Sequence, residues 1–404
     1  MKKSKDNNKQ SGKKKIIRRV IAGATTTALA ISLFPTVNYD IAKYKAKHNF
    51  EIQEILNYSN EEKTKKIAEL FEEAIKSNKK IEEESKSKII ESFTTLVIEP
   101  HGSEFSEDTI INMYAVASTE GVTKMSDFAV EHGWWGGDYN TYTNSFSINP
   151  NSVESEELIA HEQLHGILKD GNFGTGLTNF LDGYGINEAL TTMLTENDYS
   201  YCEEEIMANM LGLIIGYDKL INYYLNSDLE GLKEEISQYI SKEETNKLIS
   251  NIDKYVFLRY YKEFLINNEI DYDYEKLSTK ENEKMKDIKS LLISLCEGKY
   301  DCKVDECNIG KLLLSDDIFI EDWNPESECL VGVYYIGAGK VELVLYRWGL
   351  VGASIKEFTK KYTYKVDELE SIDIDVLKAN VEKEIKLASE KFEIENEGKE
   401  DSER

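Results

Sequence analysis

The residues of this chain best suited to chemistry are His161-Glu162-Gln163-Leu164-His165. On a helix, residues i and i+4 share one face, so both imidazoles can reach a single metal ion. Neutral imidazole nitrogen is a standard ligand for zinc, at about 2.0–2.1 Å. A glutamate directly after the first histidine lies beside such an ion. There it can take a proton from a water that the metal has acidified. The plain alternative is a surface helix with two titratable histidines. The chain has five histidines in all. His48, His101 and His132 are isolated and read as structural or solvated, although His132, next to Trp134 and Trp135, is placed to line a cleft.

H-E-x-x-H is the pattern of zinc metallopeptidases. Downstream, Gly185-Ile186-Asn187-Glu188-Ala189-Leu190-Thr191 contains an Asn-Glu-Ala that resembles the one in thermolysin-like gluzincins. The resemblance implies that Glu188 is the third ligand to Zn2+, with a fourth position left open for water or substrate. It implies that Glu162 is general base and then general acid in peptide-bond hydrolysis. It also implies an α+β zincin-like core, mostly helical, with a small sheet before the active helix. In such cores the substrate pairs with an edge strand just upstream of the helix, and Asn140–Ile148 has the position and the alternation for that role. The similarity covers roughly residues 140–200. The Gly after the second His, the Ile-Asn-Glu-Ala-Leu-Thr run and a following helix over 207–224 resemble exported metallopeptidase-like proteins of low-GC Gram-positive bacteria.

Two features depart from that family. Its outer-shell Asp, one turn after the Glu ligand, is Thr192 here. No histidine follows His165, so the role of stabilising the oxyanion falls to a tyrosine, an arginine or backbone N–H. Tyr184, four residues before Glu188, is the first candidate, and Tyr199 and Tyr201 come next. Other zinc clans fit less well. Leu168 and Gly171 stand where metzincins have Gly and His, and Leu164 stands where deformylases have Asp. Glu154, Glu156, Glu157 and Lys169 flank the motif too closely for an intramembrane protease. An Asp182 ligand of the deuterolysin type has poor spacing.

Several elements must position these groups. Ser59 with Glu62 reads as a capping box opening a helix with Ile67, Leu70, Phe71, Ala74 and Ile75 on one face. A second helix is expected over 81–93, a short strand at Leu96–Ile98, and a helix over 107–118. The active helix should span about 155–168, with another beginning near Ile186. Residues 203–297 read as several helices. Asp317–Ile320, Leu330–Ile336 and Val341–Trp348 read as strands, with a hairpin turn at Gly337–Gly339. The C-terminal 376–404 reads as a charged helix.

Composition bounds the function class. The 404 residues are 41% hydrophobic with net charge −26. Residues 1–19 carry nine basic side chains against Asp6, so the remainder stands at −34. Such a body has no electrostatic affinity for nucleic acid or anionic lipid. The basic start precedes the uncharged Val20–Asn38, which by the positive-inside rule puts the body across the membrane from the cytosol. A single-pass anchor and a cleaved signal peptide both satisfy this pattern. The organisation expected is a basic anchor or signal segment over 1–45, a helical lead-in and metallopeptidase domain over 46–305, a β-rich module over 306–375, and a charged tail over 376–404.

Outside the cell, cysteines can pair. Cys296, Cys302, Cys307 and Cys329 can form two disulfides with Cys202 left over, or hold a structural zinc, though their spacing lacks the paired C-x2-C pattern. The expected function is a zinc-dependent endopeptidase acting outside the cell on peptides or proteins. The alternatives are a catalytically silent zincin-fold binding protein and a structural envelope protein.

Overall fold

The structure is a computed structural model that describes residues 38–124, 137–141, 143–148, 155–170, 174–178, 182–195, 203–319, 329–351 and 354–400. It is α+β, mostly helical with three small sheets. Residues 38–47 are helical, followed by α1 (Phe50–Ile55), α2 (Asn60–Ser77), α3 (Glu83–Phe93) and α4 (Glu107–Thr119). The first sheet comprises β1 (Gly121–Lys124), β2 (Gly137–Asn140) and β3 (Ser145–Ile148). Then come α5 (Ser155–Ile167), the two-residue ladder β4 (Lys169–Asp170) with β5 (Gly174–Thr175), and α6 (Tyr184–Thr195). The helices α7 (Glu203–Ile215), α8 (Tyr217–Leu225), α9 (Leu229–Ile236), α10 (Lys242–Asn267), α11 (Tyr274–Tyr300) and α12 (Asn308–Leu314) follow. The last sheet is β6 (Leu330–Tyr335), β7 (Lys340–Val351) and β8 (Ser354–Lys365), with α13 (Ile374–Glu400) packed on it.

Burial follows the helical period. Ile67, Leu70, Phe71, Ala74 and Ile75 of α2 are buried, as the sequence spacing requires, and α2 packs on α4. The cap differs: Ser59 makes no side-chain bond to the helix start. A capping box does form between Ser241 and Glu244 at the start of α10. The 207–224 helix is broken at Gly216, whose φ of +103° is a conformation that L-residues avoid, so the chain turns there between α7 and α8.

Three strand expectations fail. Leu96–Ile98 is a π-helical continuation of α3, with Val97 and Ile98 buried. A short apolar run has no period that separates a strand from a buried helical turn. Asp317–Phe319 is a 3-10 turn, closed by the Phe319 N–H donating to the Asp316 carbonyl, with the Ile318 N–H donating to the Asp316 carboxylate. The alternating stretch 140–148 is not one strand: it is the end of β2, a turn and β3, with Asn144 at φ +49° forming the reversal. Within the sheet the order is β1-β3-β2, β1 and β3 parallel and β2 antiparallel to β3. The edge strand packed on α5 is therefore β2, and β3 lies in the centre.

The C-terminal sheet is an antiparallel meander in the order β6-β7-β8. Its inner residues Val331, Val333, Val341, Leu343 and Leu345 belong to the same buried cluster as the helices. The Tyr335 N–H donates to the Asn209 side-chain oxygen, and the Ala338 N–H donates to the Pro100 carbonyl, tying the β6–β7 hairpin to α7 and to the helical turn Glu99–His101. Among the described residues no helix is long and apolar enough to cross a membrane. Residues 1–37, which include most of the apolar N-terminal stretch, lie outside the described residues, as do Cys202, His132, Trp134, Trp135, Tyr199 and Tyr201.

Candidate metal centre

The two histidines stand on α5 as the four-residue spacing dictates, and α5 packs against α6. Helix α6 brings Glu188 to them. The Nε2 atoms of His161 and His165 lie 3.0 Å apart. Glu188 straddles them, with Oε2 3.3 Å from His161 Nε2 and Oε1 3.4 Å from His165 Nε2. One ligand atom from each of the three residues lies within 4.8 Å of the others, and among the described residues this is the only such His, Cys, Asp or Glu group. The three side chains are 9–15% exposed, so the site is nearly but not fully closed.

This donor set fits a metal ion. The two ring nitrogens face each other at 3.0 Å, and a half-buried carboxylate stands beside them. A cation satisfies all three at once, and two nitrogens with one carboxylate oxygen is a zinc-type set with room for a further ligand. Burial raises the pKa of Glu188, but the two imidazoles outweigh that and hold its carboxyl well below the usual range.

Outer contacts hold the ligands in place. Asn187 is buried, and its carboxamide oxygen accepts from the Leu177 N–H at 2.9 Å, while its nitrogen lies 3.3 Å from His165 Nδ1. The Asn187 side chain thereby joins the turn after β5 to His165. Gly176, at φ +52°, makes this possible: a Cβ there would sit 2.1 Å from the Asn187 oxygen. Thr191 donates to the Asn187 carbonyl and, in turn, accepts from the Tyr224 hydroxyl, which pins α6 to α8. Thr192, at the position of the family's Asp, is buried.

Glu162 is 6% exposed. Burial pushes its carboxyl up to about 8, against the pull of His161. It also accepts from the Tyr139 N–H of β2. Gly137, the first residue of β2, is packed so closely that a Cβ would lie 2.6 Å from the Glu162 carboxylate oxygen. The glycine after the second histidine has a similar reason: the Tyr139 ring lies 2.5 Å from where a Gly166 Cβ would stand. The Tyr139 hydroxyl donates to Asn144, whose amide donates to Thr119, which fixes β2 and β3 over α5.

Tyr184 opens α6 at the rim, 36% exposed. Burial, then the nearby carboxylates of Glu188 and Glu162, hold its phenol proton far above neutral pH, so it is a hydrogen-bond donor. Its position rests on Asp253 of α10, whose carboxylate accepts from the Gly183 and Gly185 N–H groups at 2.9 and 2.7 Å. Gly185 admits α10 to this close approach, its Cβ position being 2.7 Å from the Asp253 Cα. Asp182 is paired instead with Lys233 and takes no part in the metal group. Nothing in the sequence pointed to Asp253 or to Gly137.

No known protein family's sequence profile matches the chain, and no curated protein or solved structure is detectably similar to it.

Proposed function

We propose that the chain is a zinc-dependent endopeptidase with a zincin-like core of the gluzincin type, acting on peptides or proteins on the outer side of the cell membrane or in the surrounding medium. The observation that carries this reading is the convergence of Glu188 on His161 and His165, beside a buried Glu162. His161, His165 and Glu188 would hold the ion, which supplies a Lewis acid that acidifies water and polarises a carbonyl. The chain's own groups do the rest. Glu162 takes the water proton on its carboxylate and delivers it to the leaving amine nitrogen. Burial keeps that carboxyl prone to hold a proton, and a cation beside it draws its pKa down toward the working range. The Tyr184 phenol donates a hydrogen bond to the carbonyl oxygen as charge develops there. A peptide adds to the sheet along the outer edge of β2, which places its backbone across Glu162.

The deciding experiment measures zinc per chain in full-length protein purified without added metal, beside Glu188→Ala and Glu162→Gln, and screens all three against a peptide library. One zinc and cleavage in the parent, loss of both in Glu188→Ala, and zinc without cleavage in Glu162→Gln are expected. Zinc that persists in Glu188→Ala overturns the ligand set. Zinc with no cleavage by the parent favours a silent binding protein, a reading to which the Thr192 replacement of the family's Asp lends support. Absence of zinc from every form, even after its addition, favours a structural role.

A further inference from the structure

The helix over 38–47 has two unlike faces. Tyr39, Ala42 and Ala46 are buried, and the Tyr39 hydroxyl donates to the Asn112 side-chain oxygen of α4 at 3.2 Å. Ile41, Tyr44 and His48 repeat the same i, i+3, i+7 spacing two residues on. Two residues turn a helix by about 200°, so this second set points away from the body. Ile41 is 49% and Tyr44 66% exposed. The His48 ring packs against the Tyr44 ring, centroids 4.3 Å apart, and its Nδ1 lies 2.8 Å from the Tyr44 carbonyl oxygen. Phe50, at the first position of α1, is 68% exposed, while Ile52 and Ile55 of the same helix are buried. Phe50 and Tyr44 are the two most exposed large hydrophobic side chains among the described residues.

The neighbouring sequence says what covers this face. The uncharged stretch Val20–Asn38 ends at the first residue of the helix. At a rise of about 1.5 Å per residue, Tyr44 lies within about 9 Å of Asn38 whichever way the helix runs. A bilayer has about 5–7 Å of polar interface on each side of its hydrocarbon core, so one that held Val20–Asn38 has its interface within reach of this face. The side chains suit that place. A tyrosine ring rests at the headgroup level with its hydroxyl toward water. Lys45 and Lys47 are exposed beside it, and a lysine stem lies along apolar surface while its ammonium reaches a phosphate. Over residues 38–50, Lys43, Lys45 and Lys47 stand against Asp40, a net of +2 within a body at −34. A second copy of the chain would set this positive patch against itself, whereas lipid phosphates accept from the lysines.

We propose that this face is a membrane-docking surface: Ile41, Tyr44 and Phe50 rest in the headgroup–acyl boundary of the bilayer, with Lys45 and Lys47 on lipid phosphates. The proposal rests on Val20–Asn38 serving as a retained anchor, and it is independent of the metal chemistry. The anchor supplies attachment, and the docked face supplies orientation. A single peptide segment leaves a body free to swing, whereas a second contact about 9 Å from it sets which way the body stands on the membrane. Tyr39, Ala42 and Ala46 pass that orientation to α4, because they are packed in the core on the opposite side of the same helix.

The test reconstitutes the full-length chain into phosphatidylcholine vesicles, with a photoreactive benzophenone side chain in place of Tyr44, of Phe50 or, for comparison, of Phe257, which is 63% exposed on α10. All three side chains are exposed, so the replacements leave the core alone. Mass spectrometry after illumination reads what each position touches, and alkaline carbonate extraction reads whether the chain is integral to the bilayer. Carbonate-resistant chains with lipid adducts at the Tyr44 and Phe50 positions, in excess of those at Phe257, are expected. Resistant chains that lack adducts at either position, or carry them equally at all three, overturn the docking and leave the anchor standing. Crosslinks from the Tyr44 position to a second copy of the chain also overturn it, since the face would then serve self-association. Release of the chain by carbonate removes the anchor and the docking with it. Zinc content and peptide cleavage do not enter these readouts, so failure here is distinct from failure of the peptidase reading.

Discussion

At the residue scale, the site depends on side chains that touch the ligands as much as on the ligands. Asn187 is the clearest case, because its carboxamide meets both the Leu177 N–H and His165 Nδ1. A histidine that ligates through Nε2 donates its Nδ1–H, so the Asn187 carboxamide serves a metal-bound His165 through its oxygen; truncating Asn187 to Ala removes that acceptor, and outer partners of this kind are worth about 10–100-fold in metal affinity. Competition with a chromophoric chelator is expected to show weaker zinc in Asn187→Ala, and unchanged affinity would remove Asn187 from this role. Gly137 makes the complementary point. An added methyl there collides with the Glu162 carboxylate. Gly137→Ala is therefore expected to keep its zinc and lose hydrolysis by about 100-fold or more, the scale of a displaced general base. Metal analysis and peptide turnover on the same sample check it.

At the scale of elements, the centre is a meeting of α5 and α6 under β2, and α10 sets the position of α6. Asp253 supplies an N-terminal contact to α6, accepting from the Gly183, Gly185 and Ile186 N–H groups near its start. Loss of such a cap costs about 1–2 kcal/mol. Asp253→Ala should lower stability to denaturant by that amount, and it should cost turnover as well because Tyr184 and Glu188 ride on the same helix. A stability loss with unaltered turnover would show that α6 is held elsewhere. Element boundaries were partly legible beforehand. The helices α2, α3, α4 and α5 fall where the 3.6-residue period puts them, because burial of one face on a local period is written into the chain. The run Leu96–Ile98 was misread because three apolar residues carry no period. The stretch 140–148 was misread because a single Asn at φ +49° reverses the chain inside an otherwise regular alternation.

For the whole molecule, one buried acid behind the active helix couples stability to pH. Glu120 is fully buried beside Gln163 of α5 and is pushed up to about 8 by burial, which Gln163 and Lys80 oppose. Its folded-state pKa lies above the ordinary value of 4.5. The folded chain therefore keeps a proton that the unfolded chain releases. Stability from this group is full below about 4.5 and is lost as pH rises toward 8, at roughly 1.4 kcal/mol per pH unit. Glu120→Gln, neutral at every pH, is expected to be more stable than the parent at pH near 8 and to lose that advantage near pH 5. Denaturant titrations of both proteins at the two pH values test this. The difference cancels the contribution of Glu162, which is raised in the same direction. An advantage that did not grow with pH would show that Glu120 is ionised in the fold.

The sequence by itself determined the pair His161 and His165 with Glu162 between them, since an i, i+4 spacing on a helix needs no other part of the chain to face one way. It also determined an acidic, mostly helical α+β protein, through composition and period. Only the tertiary structure decided what surrounds the pair. Glu188 reaches it because α6 packs on α5, Gly137 lies over Glu162 because β2 and not β3 is the edge strand, and Asp253 holds α6 from a helix some 68 residues away in sequence. The same holds for the thiols: their spacing allows several pairings, and it is the fold that sets Cys296 in α11, Cys307 at the start of α12 and Cys329 beside β6. Local periodicity is a property of neighbours in the chain, whereas these contacts exist only after loops have closed and backbones have approached to within the width of a missing methyl group.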